Sequence, residues 1–239
     1  MKKMILSFLA IGLLAVSSCR KDSIWGEGPL VTETRSVDNF TGISTGISGE
    51  VEFTVGPVYK LEVTAQQNIL DVMRTQVVNG VLEIDFRNSV RVKTHEDITV
   101  KITAPSVSLL RLSGVGDMRT TGDIVTNRLD LTVSGAGNIN LAKAIVADKI
   151  DARISGTGSI NMGTGSAKNE ELRISGSGGM NLSNVPVEKA DIHISGSGDM
   201  KVDVSQSIYA SISGSGSVLY KGNPTITTNI SGSGTVKPF

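Results

Sequence analysis

The sequence predicts an all-β protein built as a parallel β-solenoid (a β-helix), and three features of its 239 residues predict it. The tetrapeptide Ser-Gly-x-Gly occurs seven times, starting at Ser113, Ser134, Ser155, Ser175, Ser195, Ser213 and Ser231, at spacings of 21, 21, 20, 20, 18 and 18 residues. Apolar residues take every second place on both sides of it, the period of a strand with one buried face. Glycine contributes 27 residues, and fourteen of them lie in these seven copies, so the excess marks a repeated backbone corner rather than a flexible tract.

The chain opens with a basic Met1-Lys2-Lys3 and a twelve-residue apolar stretch from Ile5 to Val16. Twelve residues are too few to cross a hydrocarbon core, which needs about 20 in helix, so residues 1–18 read as a cleaved export signal. Its end, Val16-Ser17-Ser18-Cys19, resembles the bacterial lipobox, in which the cysteine receives the lipid and becomes the mature N-terminus. Cys19 is the only cysteine, which suits lipidation and leaves no thiol for a disulfide, a metal or catalysis. The mature chain then carries 21 basic and 23 acidic side chains, a balance of −2. Acyl chains at Cys19 make the membrane a partner. Arg20, rather than Asp, follows the cysteine and gives no inner-membrane retention signal, so the expected location is the outer membrane of a Gram-negative envelope. Residues 19–39 are polar and read as a flexible tether.

Residues 40–108 lack the tetrapeptide but alternate in strand fashion at Val51–Val55, Lys60–Val63, Val81–Phe86 and Ile98–Ile102. Gly56-Pro57 and Asn79-Gly80 are turn signals between them, and only Gln67 to Val77 suits a short helix. This region is expected to cap or begin the solenoid, because an open β-edge invites aggregation.

Residues 109–239 hold the repeats. Before each serine stands Leu112, Val133, Ile154, Ile174, Ile194, Ile212 or Ile230, and after the corner Met118, Ile139, Ile160, Met180, Met200, Val218 and Val236 form a second column. A rung of about 20 residues cannot bury its own apolar face, so rungs must stack in register. The corner glycines, expected to take positive φ, are Gly114 and Gly116, Gly135 and Gly137, Gly156 and Gly158, Gly176 and Gly178, Gly196 and Gly198, Gly214 and Gly216, and Gly232 and Gly234. Shortening of the rungs is assigned to a far loop, including Ala142–Lys149 and Gly163–Lys168, with Pro186 and Pro224 also in loops.

The Phe40…Gly42-Ile43 opening, Val78-Asn79-Gly80-Val81-Leu82-Glu83-Ile84, the Ser-Gly-x-Gly ladder and the Gly-x-Ile-Asn segments at Gly137–Asn140 and Gly158–Asn161 together resemble one family. That family is the "putative auto-transporter adhesin, head GIN domain" group of exported bacterial proteins, and the resemblance spans about residues 37 to 239. It implies a right-handed β-helix, in many members lipid-anchored. Later rungs depart from the name motif, as Gly198-Asp199-Met200-Lys201 lacks the asparagine.

Outward columns are where chemistry can sit. Asp130, Asp151, Glu171 and Asp191 form an acidic file, with Thr132, Arg153, Arg173 and His193 two places further along. Rungs stack about 4.8 Å apart, so this stripe is the candidate surface for a cation or a sugar polymer, unless the arginines merely offset the acids. No catalytic residue is assigned. Asp117 and Asp199 share a column four rungs apart, about 19 Å at that spacing, beyond the reach of a paired-carboxylate mechanism. His95 and His193 have no ligand spacing, and no nucleotide loop, cofactor motif or metal site is present in the pattern. With 23 basic against 23 acidic residues and no basic run, nucleic acid is not an expected partner. The expected function is a lipid-anchored, adhesin-like, non-catalytic binding module for a polysaccharide or protein. The alternatives are a polysaccharide-active enzyme and a structural component that forms homo-oligomers through the terminal rung near Phe239.

Overall fold

A computed structural model describes residues 22–93 and 95–239, and all structural statements below concern these residues. Cys19 and the export signal lie outside them. The first half contains β1 (Asp22–Ile24), β2 (Leu30–Arg35), β3 (Gly42–Thr45), β4 (Glu50–Val55), β5 (Lys60–Gln66), α1 (Gln67–Leu70), β6 (Met73–Val78), β7 (Val81–Phe86), β8 (Val90–Val92) and β9 (Thr99–Ala104). The repeats supply β10 (Leu109–Gly114), β11 (Asp117–Gly135), β12 (Asn138–Gly156), β13 (Ser159–Ser166), β14 (Asn169–Gly176), β15 (Gly179–Gly196), β16 (Asp199–Gly214), β17 (Ser217–Lys221), β18 (Thr225–Gly232) and β19 (Thr235–Pro238).

The repeats stack as parallel strands in the register that the tetrapeptides dictate. Ser113 lies against Ser134, Ser134 against Ser155, and the ladder continues through Ser175, Ser195, Ser213 and Ser231. The molecule is thus a β-solenoid. The column Leu112, Val133, Ile154, Ile174, Ile194 and Ile212 is buried, each side chain gaining about 1.5–3 kcal/mol from removal from water. Its last member, Ile230, is 38% exposed because no further rung covers it.

The two glycines of each corner do different work. Only the first takes positive φ, between 124° and 144° from Gly114 to Gly232. The second faces inward against the rung before it: a Cβ on Gly137 would lie 2.1 Å from the carbonyl oxygen of Gly116. The expectation of positive φ therefore holds for one glycine of each pair, and close backbone approach explains the other.

At the N-terminal end the stacking order departs from chain order. β3 and β4 pair in parallel with β10 and β11, while β7 and β9, later in the chain, add below β3 and β4. Antiparallel β5 on β9, β2 on β5 and β6 on β7 then close this end. The Asn79-Gly80 signal is realised as the β6–β7 turn, with φ of 51° and 75°, the pair of positive values that a two-residue hairpin needs.

Four expectations are corrected. The helix is a single turn, Gln67–Leu70, without a side-chain cap, and Met73–Val78 is strand because its β-branched residues pair with β7. The tether is not free along its length: Asp22–Ile24 pairs with β8, and Leu30–Arg35 with β5. Ala142–Lys149 lies within β12, and Gly163–Ser166 within β13, because the ladder to neighbouring rungs continues through them. Pro186 sits inside β15 opposite Asp203 with its carbonyl accepting from Ala167, next to a register shift that tolerates the missing donor.

Candidate functional site

The acidic file forms as the spacing requires, with Asp130 on β11 against Asp151 on β12, Glu171 on β14 and Asp191 on β15. Arg153, Arg173 and His193 follow in the adjacent file, beside Thr132. A second file on the other side went unread in the sequence, although its members stand two places before each acid: Arg128, Lys149, Asn169 and Lys189, basic at three of the four places. Each acid thus has a basic residue on at least one side, and Asp151 stands between Lys149 and Arg153 on its own strand.

The result is a network. Arg128 Nη2 donates to Asp130 Oδ1 at 3.1 Å and to Asp151 Oδ2 at 3.0 Å, and Arg153 Nη2 donates to the same Oδ2 at 2.9 Å. Glu171 is held by Lys149 and Arg173, with Arg153 4.0 Å away. His193 Nε2 stands 2.9 Å from Asp191 Oδ1 at the end of the file. The Asp151 side chain is 2% exposed, and its Oδ1 has no hydrogen-bond partner. Carboxylates whose charge is spent on neighbouring cations offer little to an added metal ion. Among the described residues, no group of three or more His, Cys, Asp or Glu is placed to hold one.

Beside the network lies a shallow open groove of about 510 Å³. It is lined by the Thr132, Arg153, Arg173, His193 and Ser211 file, by the hydroxyl ladder Ser155, Ser175, Ser195 and Ser213, and by Ile154, Ile174 and Ile194 between them. These serines, explained in the sequence by corner geometry, point outward and are exposed, because residues flanking a buried strand position alternate to solvent. Tyr209, 42% exposed, continues the acidic column after Asp191 and tilts against the His193 ring at 6.0 Å. The groove thus presents one hydroxyl per rung beside a charged or aromatic group, a surface suited to hydrogen bonding along a chain of repeating units.

Other singled-out residues stand apart. Asp117 accepts from Asn138 Nδ2 at 2.8 Å, and Asp199 accepts from the Ser217 amide at 3.1 Å, so each holds its own neighbouring rung. His95 is in the capped half, with Nδ1 2.6 Å from the Glu96 carbonyl. Glu170 is a carboxyl that the sequence reading missed, although it shares strand parity with Leu172 and Ile174. It occupies the inward column between Ile150 and Ala190, is 2% exposed, and neither carboxyl oxygen has a partner. Burial, with like charge at Asp203 adding to it, holds its pKa well above the ordinary carboxylate range.

Stacked coils, one capped end and an extended polar face over an apolar interior define a β-solenoid. The family model described as "Putative auto-transporter adhesin, head GIN domain" matches residues 39–224, and the chain belongs to that family. Among solved structures, a "putative adhesin" from Bacteroides fragilis is similar at 25% identity, covering 90% of this chain and 100% of that one, with a TM-score of 0.82. A "putative adhesin" from Parabacteroides merdae, 20% identical over 91% of this chain and 99% of that one, shares the fold at a TM-score of 0.73. So does a "putative lipid binding protein" from Parabacteroides distasonis, at 24% identity, 91% and 100% coverage and a TM-score of 0.74. No protein with a curated description matches.

Proposed function

We propose that this protein is a lipid-anchored cell-envelope module of the outer membrane that binds a polysaccharide through the groove beside the Arg153, Arg173 and His193 file, without catalysis. The groove carries the reading. A linear polymer laid across the rungs meets an equivalent serine hydroxyl at each step, from Ser155 to Ser213. Family membership supports an exported, surface-associated role, and the lipobox-like Val16–Cys19 supports the anchor. The ion pairing of the acidic file favours binding over acid-base chemistry, since Asp130, Asp151 and Glu171 each already face an arginine.

Glycan arrays and pull-downs with the mature protein test this, with Ser175→Leu and Ser195→Leu as groove-filling variants. Both positions are exposed, so melting should stay within about 0.5 kcal/mol of wild type while glycan capture is lost. Capture unchanged by both variants, or a protein partner alone, overturns the polysaccharide reading. Protease shaving of intact cells decides which side of the membrane the solenoid faces. Self-association is the second reading, favoured by β18 and β19, each of which pairs on one side only. Light scattering that shows a concentration-dependent mass would support it.

A further inference from the structure

We propose that the capped end of the solenoid docks directly on the lipid surface, with Trp25, Arg91 and Lys93 as its contact face, rather than standing off the membrane on a spacer. The inference rests on the lipid anchor at Cys19 and specifies the geometry that anchor imposes. The folded body already includes Asp22, because β1 pairs in parallel with β8, with the Asp22 amide donating to the Ser89 carbonyl at 3.0 Å and the Lys93 amide to the Ile24 carbonyl at 2.8 Å. Only Arg20 and Lys21 separate Cys19 from that point. Three residue steps span at most about 11 Å when fully extended. That reach is comparable to the headgroup zone, about 5–8 Å on each side of the hydrocarbon core, so an acylated Cys19 cannot hold the body clear of the bilayer.

The face presented there has the matching chemistry. Ile24 and Val92 pack against the core, so by alternation Ser23 and its partner Arg91, with Trp25 and Lys93 one step beyond, take the outward side. Trp25 is 56% exposed, while Arg91 and Lys93 are exposed and meet no acid at ion-pair distance among the described residues. Indole rings favour the headgroup level, where an apolar ring and a polar N–H are both served, and the cations complement anionic phospholipid. The nearest acids in sequence are Glu27, whose amide donates to Asn68 Oδ1 at 3.1 Å, and Glu96, whose amide donates to Gln66 Oε1 at 3.1 Å, while Asp22 pairs with Val90 at the alternate strand position.

Trp25 is the only tryptophan and therefore reports on this contact without labelling. The full chain is produced in a host that acylates exported lipoproteins, purified, and reconstituted in phosphatidylethanolamine and phosphatidylglycerol vesicles. Trp25 emission should shift to the blue and lose most of its intensity when brominated lipids replace the ordinary ones. Arg91→Glu with Lys93→Glu should return it toward the emission of an indole in water. Vesicle-bound, acylated protein whose Trp25 is quenched by acrylamide and untouched by brominated lipid overturns the proposal. Mass spectrometry separates the other failure: an unmodified Cys19 refutes the anchor itself. In that case the chain from Cys19, coupled through this single thiol to maleimide lipid on the same vesicles, gives the same two fluorescence outcomes and decides the docking geometry alone.

Discussion

Gly158 lies directly against Gly137 of the preceding rung, so closely that a Cβ on Gly158 would stand 2.1 Å from the Gly137 carbonyl oxygen. The contact recurs rung by rung and sets how tightly the coils stack. Gly158→Ala must push two rungs apart or bend the corner, and overpacking of this kind costs about 1–3 kcal/mol. Gly179, at the start of β15, is the control, since its nearest neighbour to an added Cβ is 3.8 Å away. Gly179→Ala should therefore be neutral or stabilising by up to about 1 kcal/mol. Denaturant melts of the two variants check both signs.

Asp151 and Asp191 share one file but not one environment, with side chains 2% and 49% exposed. Asp151→Asn removes the charge that Arg128 and Arg153 both pair with and sets an NH2 donor among them at a buried position, and should destabilise by about 1–3 kcal/mol. Asp191→Asn should cost less than about 0.5 kcal/mol. Calcium should leave the melting temperature of the wild type unchanged. A rise with calcium that is lost in both variants would restore the file as a cation site.

Glu170 makes stability depend on pH. Its folded pKa is raised above the ordinary 4.5 by burial and then by Asp203, so the folded state binds the proton more tightly than the unfolded chain. Stability is full below pH 4.5 and falls as pH rises toward the raised folded value, by at most about 1.4 kcal/mol per pH unit. Glu170→Leu should abolish this slope, so that its advantage over wild type grows as pH rises above the ordinary carboxylate value of 4.5. Equal pH profiles for the two proteins would refute the assignment.

The rung formed by β18 and β19 pairs on one side only, and most of its residues are exposed. Its amides should exchange with solvent well before those of β14, which pairs with both β12 and β15. Hydrogen exchange read by mass spectrometry checks this. Protection at Thr225–Gly232 that rises with protein concentration would show the edge being covered by a second copy.

Much of the repeat half was legible because each rung states its own register. Ser134, Gly135 and Ile154 could be assigned to columns by alignment alone, since stacking like on like leaves few other solutions. The flanking cations Arg128, Lys149 and Lys189 are equally present in that alignment, but neutral Asn169 interrupts them, so the column does not stand out as basic. Glu170 was readable by parity, yet a carboxyl in a buried column runs against the expectation that inward positions are apolar.

The sequence by itself determined the solenoid, its corner positions and the two columns of its core, because these follow from local periodicity that each rung repeats. Tertiary structure alone decided three things: that β7 and β9 stack below β3 and β4, that β1 is clamped onto β8, and that serine corners and an arginine file enclose a groove. The physical reason is the range of the contacts. Repeat pairing joins like segments about 20 residues apart, whereas the cap joins unlike ones such as Asp22 and Val90, and no local pattern marks such a pair.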